Sequence, residues 1–310
     1  MAFSIYLFMQ TDNIVILTSI PFFLLKYGTL KSALKTFVYI FSDPIFAAYT
    51  KKDEEMLLKT TRNMHFCVKF IKISISVVGG ILWPVSLFVK RHQDPTAIVS
   101  IYTPFETDSW TGYTCSIILE VAPLLWTGFG HLALDCLVAT YYAQAEVQLK
   151  IIKYNLEHLF DTDGASRDYC AYRDVVDRDL RTRFVHYVRR YEAVTWYVKQ
   201  DIFLSVTRYF MLFIIFFHFQ TPIISVPFTF LVFVLMLILA QVLLYCYFGN
   251  LVQYESDSVI TSVYLSDWLS ASPQFRRLLL IAMLRWSHSI TPRVSGIVPL
   301  SLSTFVSVNN

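Results

Sequence analysis

The chain has 310 residues, of which 55% are hydrophobic, 16% aromatic and only 16% charged, with a formal net charge of +3. This mixture excludes an ordinary soluble domain and makes a lipid bilayer the expected solvent, while the small net charge excludes nucleic acid as a partner read from bulk composition. Five scattered cysteines, Cys67, Cys115, Cys136, Cys170 and Cys246, form no CxxC pair and no metal-like spacing, so neither a disulfide framework, a metal site nor a cofactor is expected.

In chain order, the opening Met1-Ala-Phe-Ser-Ile-Tyr-Leu lacks a basic n-region and a small-residue cleavage site, so no cleaved signal peptide is expected. A first span over about 3–25 is interrupted by Gln10, Thr11, Asp12 and Asn13, which leaves an apolar run of only about 18 Å. Further spans are predicted at 73–89, 113–145, 202–219 and 222–248, each near the ~20 apolar residues that cross a hydrocarbon core. Lys and Arg are unevenly distributed. The connection 26–72 holds nine, 90–112 two, 146–200 ten, 220–221 none and 249–297 four, which places three connections in the cytoplasm and two outside. Arg208, six residues into its span, is read as snorkelling to the cytoplasmic interface.

The connection 146–200 carries more order than a loop needs. Tyr142, Ala145, Leu149, Ile152, Leu156 and Leu159 alternate steps of three and four, and Leu180, Phe184, Tyr187, Tyr191, Val194 and Val198 do the same. Two helices with apolar seams are predicted to project from the bilayer and pack in a cytoplasmic helical domain over 146–200 and 249–297. The alternative is an amphipathic hairpin lying on the membrane surface. A polar turn beginning at Asp161 and containing Gly164 separates the seams. Ser272 as N-cap and Pro273 at the first helical position start a further helix, and Pro292 and Gly296 break the chain before a last span at 297–310, which is about 18 Å long over its apolar part. The fold class is therefore all-α: a polytopic membrane helical bundle with long helices extending into a cytoplasmic helical domain. His131 and Asp135, at i and i+4, read as a packing contact, and no nucleophile, base and orienting group come together, so an enzyme is not expected.

The C-terminal third makes the reading specific. Cys246-Tyr247-Phe248-Gly249-Asn250, Tyr254-Glu255-Ser256, Ser266-Asp267-Trp268, Ser272-Pro273-Gln274-Phe275-Arg276-Arg277 and Pro299-Leu300-Ser301-Leu302-Ser303-Thr304-Phe305 follow in order. Together they resemble the C-terminal signature of insect odorant receptors. Thr103-Pro104-Phe105-Glu106, Asp135 and Gln148 add to the resemblance, which extends over nearly the whole chain. It implies a plasma-membrane, multi-pass subunit that binds a small volatile ligand and gates a non-selective cation channel as a hetero-tetramer with the family's odorant co-receptor. It also implies that these spans correspond to the family's second through sixth helices, with the first absent and the seventh cut after Phe305. The second reading is a truncated, non-conducting member that only associates with other subunits.

In the family one wall of the odorant pocket is a face of the third helix. Ser76, Gly79 and Trp83, spaced i, i+3, i+7, are the candidates for that face. Gly79 leaves room, Trp83 offers a flat apolar surface and Ser76 a polar handle, which suits a volatile ligand. The alternative for the same residues is close helix packing in the membrane. Phe216 and Phe217 are further aromatic candidates, more readily lipid or core contacts.

Overall fold

The computed structural model describes residues 35, 43–93, 106, 108–161, 171–199, 226–294 and 298–301. The expected spans 3–25 and 202–219, with Arg208, Phe216 and Phe217, lie outside the described residues, as do Cys170, Thr103 to Phe105 and the stretch after Ser301.

The described chain is helical. Helix α1 is Lys51–Val77, α2 Trp83–Gln93, α3 Trp110–Glu157, α4 Ala171–Lys199, α5 Val226–Leu265 and α6 Pro273–Trp286. Short 3-10 turns stand at Pro44–Phe46 and Trp268–Ser270. The extended structure among the described residues is a two-residue antiparallel ladder, β1 (Arg293–Val294) with β2 (Val298–Pro299).

Helix lengths explain the architecture. The 48 residues of α3 reach about 72 Å at ~1.5 Å each, more than twice the ~30 Å of a hydrocarbon core, so the helix is far longer than a single crossing requires. The 40 residues of α5 reach about 60 Å. That helix does not stop at the predicted span end near 248 but continues to Leu265, because Cys246, Gly249, Val252, Ser256, Val259 and Val263 form one more buried seam. The predicted connection 26–72 is likewise helical from Lys51, and Lys51–Ile81 is long and apolar enough to cross a bilayer. Its start is set by a capping box: the Asp53 N–H donates to Thr50 Oγ1 at 3.1 Å, while Asp53 Oδ2 accepts the Tyr49 and Thr50 N–H groups at 3.1 Å each.

The chain divides into two compact units, residues 1–36 with 62–137, and residues 37–61 with 138–310. In the second unit both seams read from the sequence are buried throughout, in one core with Val252, Val259, Phe275, Leu279 and Trp286. Ser272 caps α6 by accepting the Phe275 N–H at 3.2 Å, with Pro273 at the first position, as the sequence predicts. Phe275 and Trp286 then close edge-on against Phe184, with ring centroids 5.2 and 6.1 Å away.

Polar ties across helices hold the second unit in register. The Tyr141 hydroxyl donates to the Tyr197 carbonyl at 2.7 Å, and Tyr197 returns the bond to the Tyr141 carbonyl. Tyr191 Oη and Ser256 Oγ share a bond of 2.9 Å, and the same Oγ accepts the Ile290 N–H at 2.9 Å. Lys153 pairs with Glu255 at 2.8 Å, and Lys150 reaches both Glu146 and Glu255. Burial alone lowers the Lys150 pKa, but the two carboxylates outweigh it and hold the ammonium above its ordinary value.

Candidate functional site

The candidate face lies in the first unit, where α1 passes into α2 through a π-helical turn, Val78–Leu82. The sequence accounts for this turn. Pro84 has no N–H to give to the preceding turn and its ring crowds the carbonyl four residues back, that of Gly80. The Gly79-Gly80 pair lets the backbone open to a wider turn instead of kinking sharply. A π turn holds more residues than an α turn, so Ser76, Gly79 and Trp83 are not stacked by the regular α-helical spacing that suggested them. Trp83 opens α2, and its side chain lies outside the described side chains.

Ser76 is half-buried, and its hydroxyl donates to the Lys72 carbonyl at 2.9 Å, within its own helix. Gly79 meets α3. A Cβ there would stand 2.8 Å from Leu125 Cδ2, and one at Gly80 3.9 Å from Leu125 Cδ1. Leu125, which sequence reasoning passed over, therefore covers the surface that the glycine pair leaves open. A glycine pair opposite a branched aliphatic side chain is the signal that close helix approach leaves in membrane sequences, but the partner cannot be read from one helix.

At the other end of α2 the packing is firmer. Tyr113 is fully buried with Ile117 and Val121, against Leu87, Phe88 and Leu125. Its hydroxyl donates to the Leu87 carbonyl at 2.9 Å, its ring meets Phe88 edge-on at 6.2 Å, and the Arg91 guanidinium sits 4.9 Å from the ring centroid. Arg91 also donates to the Asp108 carbonyl at 3.0 Å. The first turn of α3 is fastened by Ser109 Oγ, which accepts the Gly112 N–H at 3.0 Å; a Cβ at Gly112 would collide with the Glu106 carbonyl oxygen. The side chains of His131 and Asp135 lie outside the described side chains. Among the described residues no cluster of His, Cys, Asp and Glu is arranged to hold a metal.

The motif residues of the C-terminal third prove to be joints of the second unit. Gly249 lies against Leu300, whose Cβ and carbonyl oxygen would each be 2.7 Å from an added Cβ, and the Leu300 N–H donates to the Pro292 carbonyl at 2.9 Å. Glu255 and Ser256 make the ion pairs and the shared hydroxyl bond described above. Gln148 Oε1 accepts from Arg190 Nε at 2.7 Å.

The sequence model of the family described as 7tm Odorant receptor matches residues 6–310. Putative odorant receptor 19b of Drosophila melanogaster is 25% identical over 246 residues, 76% of this chain and 60% of that protein. Odorant receptor 94a of the same organism is 24% identical over 255 residues, 78% of this chain and 61% of that protein. This chain thus spans about 60% of the length of the relatives it matches. The structure of the insect olfactory receptor OR5 from Machilis hrabei has the same fold, with a TM-score of 0.63 at 16% identity, covering 97% of this chain and 78% of that one. The same receptor in complex with eugenol gives a TM-score of 0.59 at 17% identity, covering 97% and 79%. The fold class read from the sequence, a polytopic membrane helical bundle, is that of these receptors. This chain belongs to the insect odorant receptor family.

Proposed function

We propose that the chain is an odorant-binding subunit that gates a non-selective cation channel as a hetero-tetramer with the odorant co-receptor, in the plasma membrane. The match of the family model to residues 6–310 carries this reading. In it the bilayer is crossed at about 3–25, 73–89, 113–145, 202–219 and 222–248, the last with its continuation to Leu265 in the cytoplasm. The seam-packed helices of 146–200 and 249–297 form the cytoplasmic domain, and 297–310 starts the final span. The exposed apolar residues Phe66, Phe70, Ile73, Val77, Ile81, Val85 and Val89 recur every three or four positions along α1 and α2, which suits a surface in contact with lipid.

The ligand is a small, mostly apolar volatile received on the side of Ser76, Gly79 and Trp83, with Leu125 as the opposing wall. Support comes from the cover over Gly79, which is the tip of the apolar Leu125 side chain and not fixed backbone, so that rotation of one side chain would uncover it for an apolar guest. The test is co-expression with the co-receptor and recording of current across a panel of volatiles, with eugenol as its first compound. An odorant-evoked cation current is expected, and Gly79→Phe is expected to raise the half-maximal concentration about ten-fold or more at equal surface level, because a bulky side chain occupies the guest's place. Surface assembly with no current for any compound would overturn the gating half of the proposal. An unchanged response in Gly79→Phe would overturn the assignment of the site.

A further inference from the structure

Four polar side chains, Asp53, Arg190, Gln148 and Asn155, are buried where α1, α3 and α4 meet the Pro44–Phe46 turn in the second unit. Asp53 and Arg190 are both fully out of solvent, a costly arrangement for two charges unless they pair. They form no ion pair. Asp53 Oδ1 accepts from Asn155 Nδ2 at 3.0 Å, and its Oδ2 is taken by the Tyr49 and Thr50 N–H groups. Arg190 donates through Nε to Gln148 and through Nη2 to the Phe46 carbonyl at 3.2 Å, while Nη1 has no partner among the described residues. Burial pushes the guanidinium down to about 10, against the opposing pull of Asp53, so it remains a cation at neutral pH.

A buried acid satisfied by neutral donors, beside a buried cation with an unused N–H, has a second arrangement of comparable merit. In that arrangement the carboxylate gives up a neutral amide donor for a charge-assisted one. Packed interiors switch between such alternatives in steps and do not deform smoothly. We propose that Asp53 is a two-position latch at the first turn of α1, held here by Asn155 and the Tyr49 and Thr50 amides, and exchanging them for Arg190 Nη1 when that turn shifts. The latch sits in the first turn of α1. A displacement of α1 therefore has a discrete pair of bonds to break and remake.

Hydrogen exchange at the Tyr49 and Thr50 amides, measured on the full chain in lipid nanodiscs, tests the latch without any ligand. Asn155→Leu removes the competing donor and is expected to speed exchange there about five-fold or more, because the carboxylate moves to Arg190. Arg190→Gln removes the alternative partner and keeps a donor for Gln148; exchange is expected at or below the level of the unaltered chain, and the double variant is expected to match Arg190→Gln. If Asn155→Leu does not fold, Asn155→Ser replaces it with the same expected direction. A merely structural cluster would loosen in both single variants and more in the double, and that result, or no change with Asn155→Leu, would overturn the proposal. A ligand arm rests on the receptor reading: half-maximal odorant concentrations are expected to move in opposite directions in the two single variants, and a shift in the same direction counts against the latch. Silence toward every odorant would sink the receptor reading while the exchange result still decides the latch.

Discussion

Two glycines show how differently the two units are held. Gly79, in the first, is opposed by the tip of the Leu125 side chain, whereas Gly249, in the second, is opposed by the backbone and Cβ of Leu300. A side-chain tip can rotate away; a carbonyl fixed by its neighbouring N–H bond to Pro292 cannot. Among its described residues, the first unit packs Tyr113, Ile117 and Val121 against Leu87, Phe88 and Leu125, with the Tyr113 hydroxyl tied to the Leu87 carbonyl. The second buries continuous apolar seams and ties them with hydroxyl, amide and charged bonds, as expected where unpaired buried polar groups are costly. At these two positions the first unit can yield by rotation of a side chain, whereas the second meets fixed backbone.

The strongest way to break this contrast is Trp286→Ala. Trp286 is buried against Phe184 and Tyr191, and its loss is expected to lower the stability of the second unit by about 3–5 kcal/mol, read as a lower thermal aggregation midpoint of the purified protein. A loss well under that would mean the second unit relaxes as readily as the first. Next comes Gly249→Ala. The contact with Leu300 is expected to outweigh the gain in helix propensity and cost about 1–3 kcal/mol, with faster hydrogen exchange at Leu300.

Gly79→Ala sharpens the comparison by its mildness. The rotation of Leu125 and the gain in helix propensity nearly cancel, so stability is expected to change by less than about 1 kcal/mol, while the odorant response changes if the face binds ligand. The smallest effect is one of pH. Burial, then Arg190 and Arg189, hold the His186 imidazole below its ordinary pKa. The unfolded chain therefore takes up a proton before the folded one does, and stability is expected to fall as pH drops through the ordinary imidazole range toward the lowered folded value. Replacing His186 with Gln is expected to flatten this part of a stability profile measured against pH.

Helical periodicity was legible wherever one face of a helix is buried continuously. The seam from Tyr142 to Leu159 and that from Leu180 to Val198 needed no partner to be seen, and both are buried. The start of α6 was equally plain, since Ser272 and Pro273 act on the backbone within four residues. The continuation of α5 past Phe248 was harder to read. Its seam alternates valine with glycine and serine, residues whose burial depends on what faces them. The π turn was missed for a related reason: the spacing of Ser76, Gly79 and Trp83 assumed a regular helix, and Pro84 and the glycine pair act together only once the helix is built through them.

Local chemistry along the chain was enough to decide that this is a helical membrane protein, where its seams and caps lie, and which family its ordered C-terminal motifs belong to. Those properties depend on residues within a few turns of one another. Only the tertiary structure decided that Leu125 covers Gly79, that Gly249 admits Leu300, and that Asp53 and Arg190 share a buried cluster without pairing. Each of these joins positions between 46 and 137 residues apart, and helix packing, not sequence neighbourhood, brings them together.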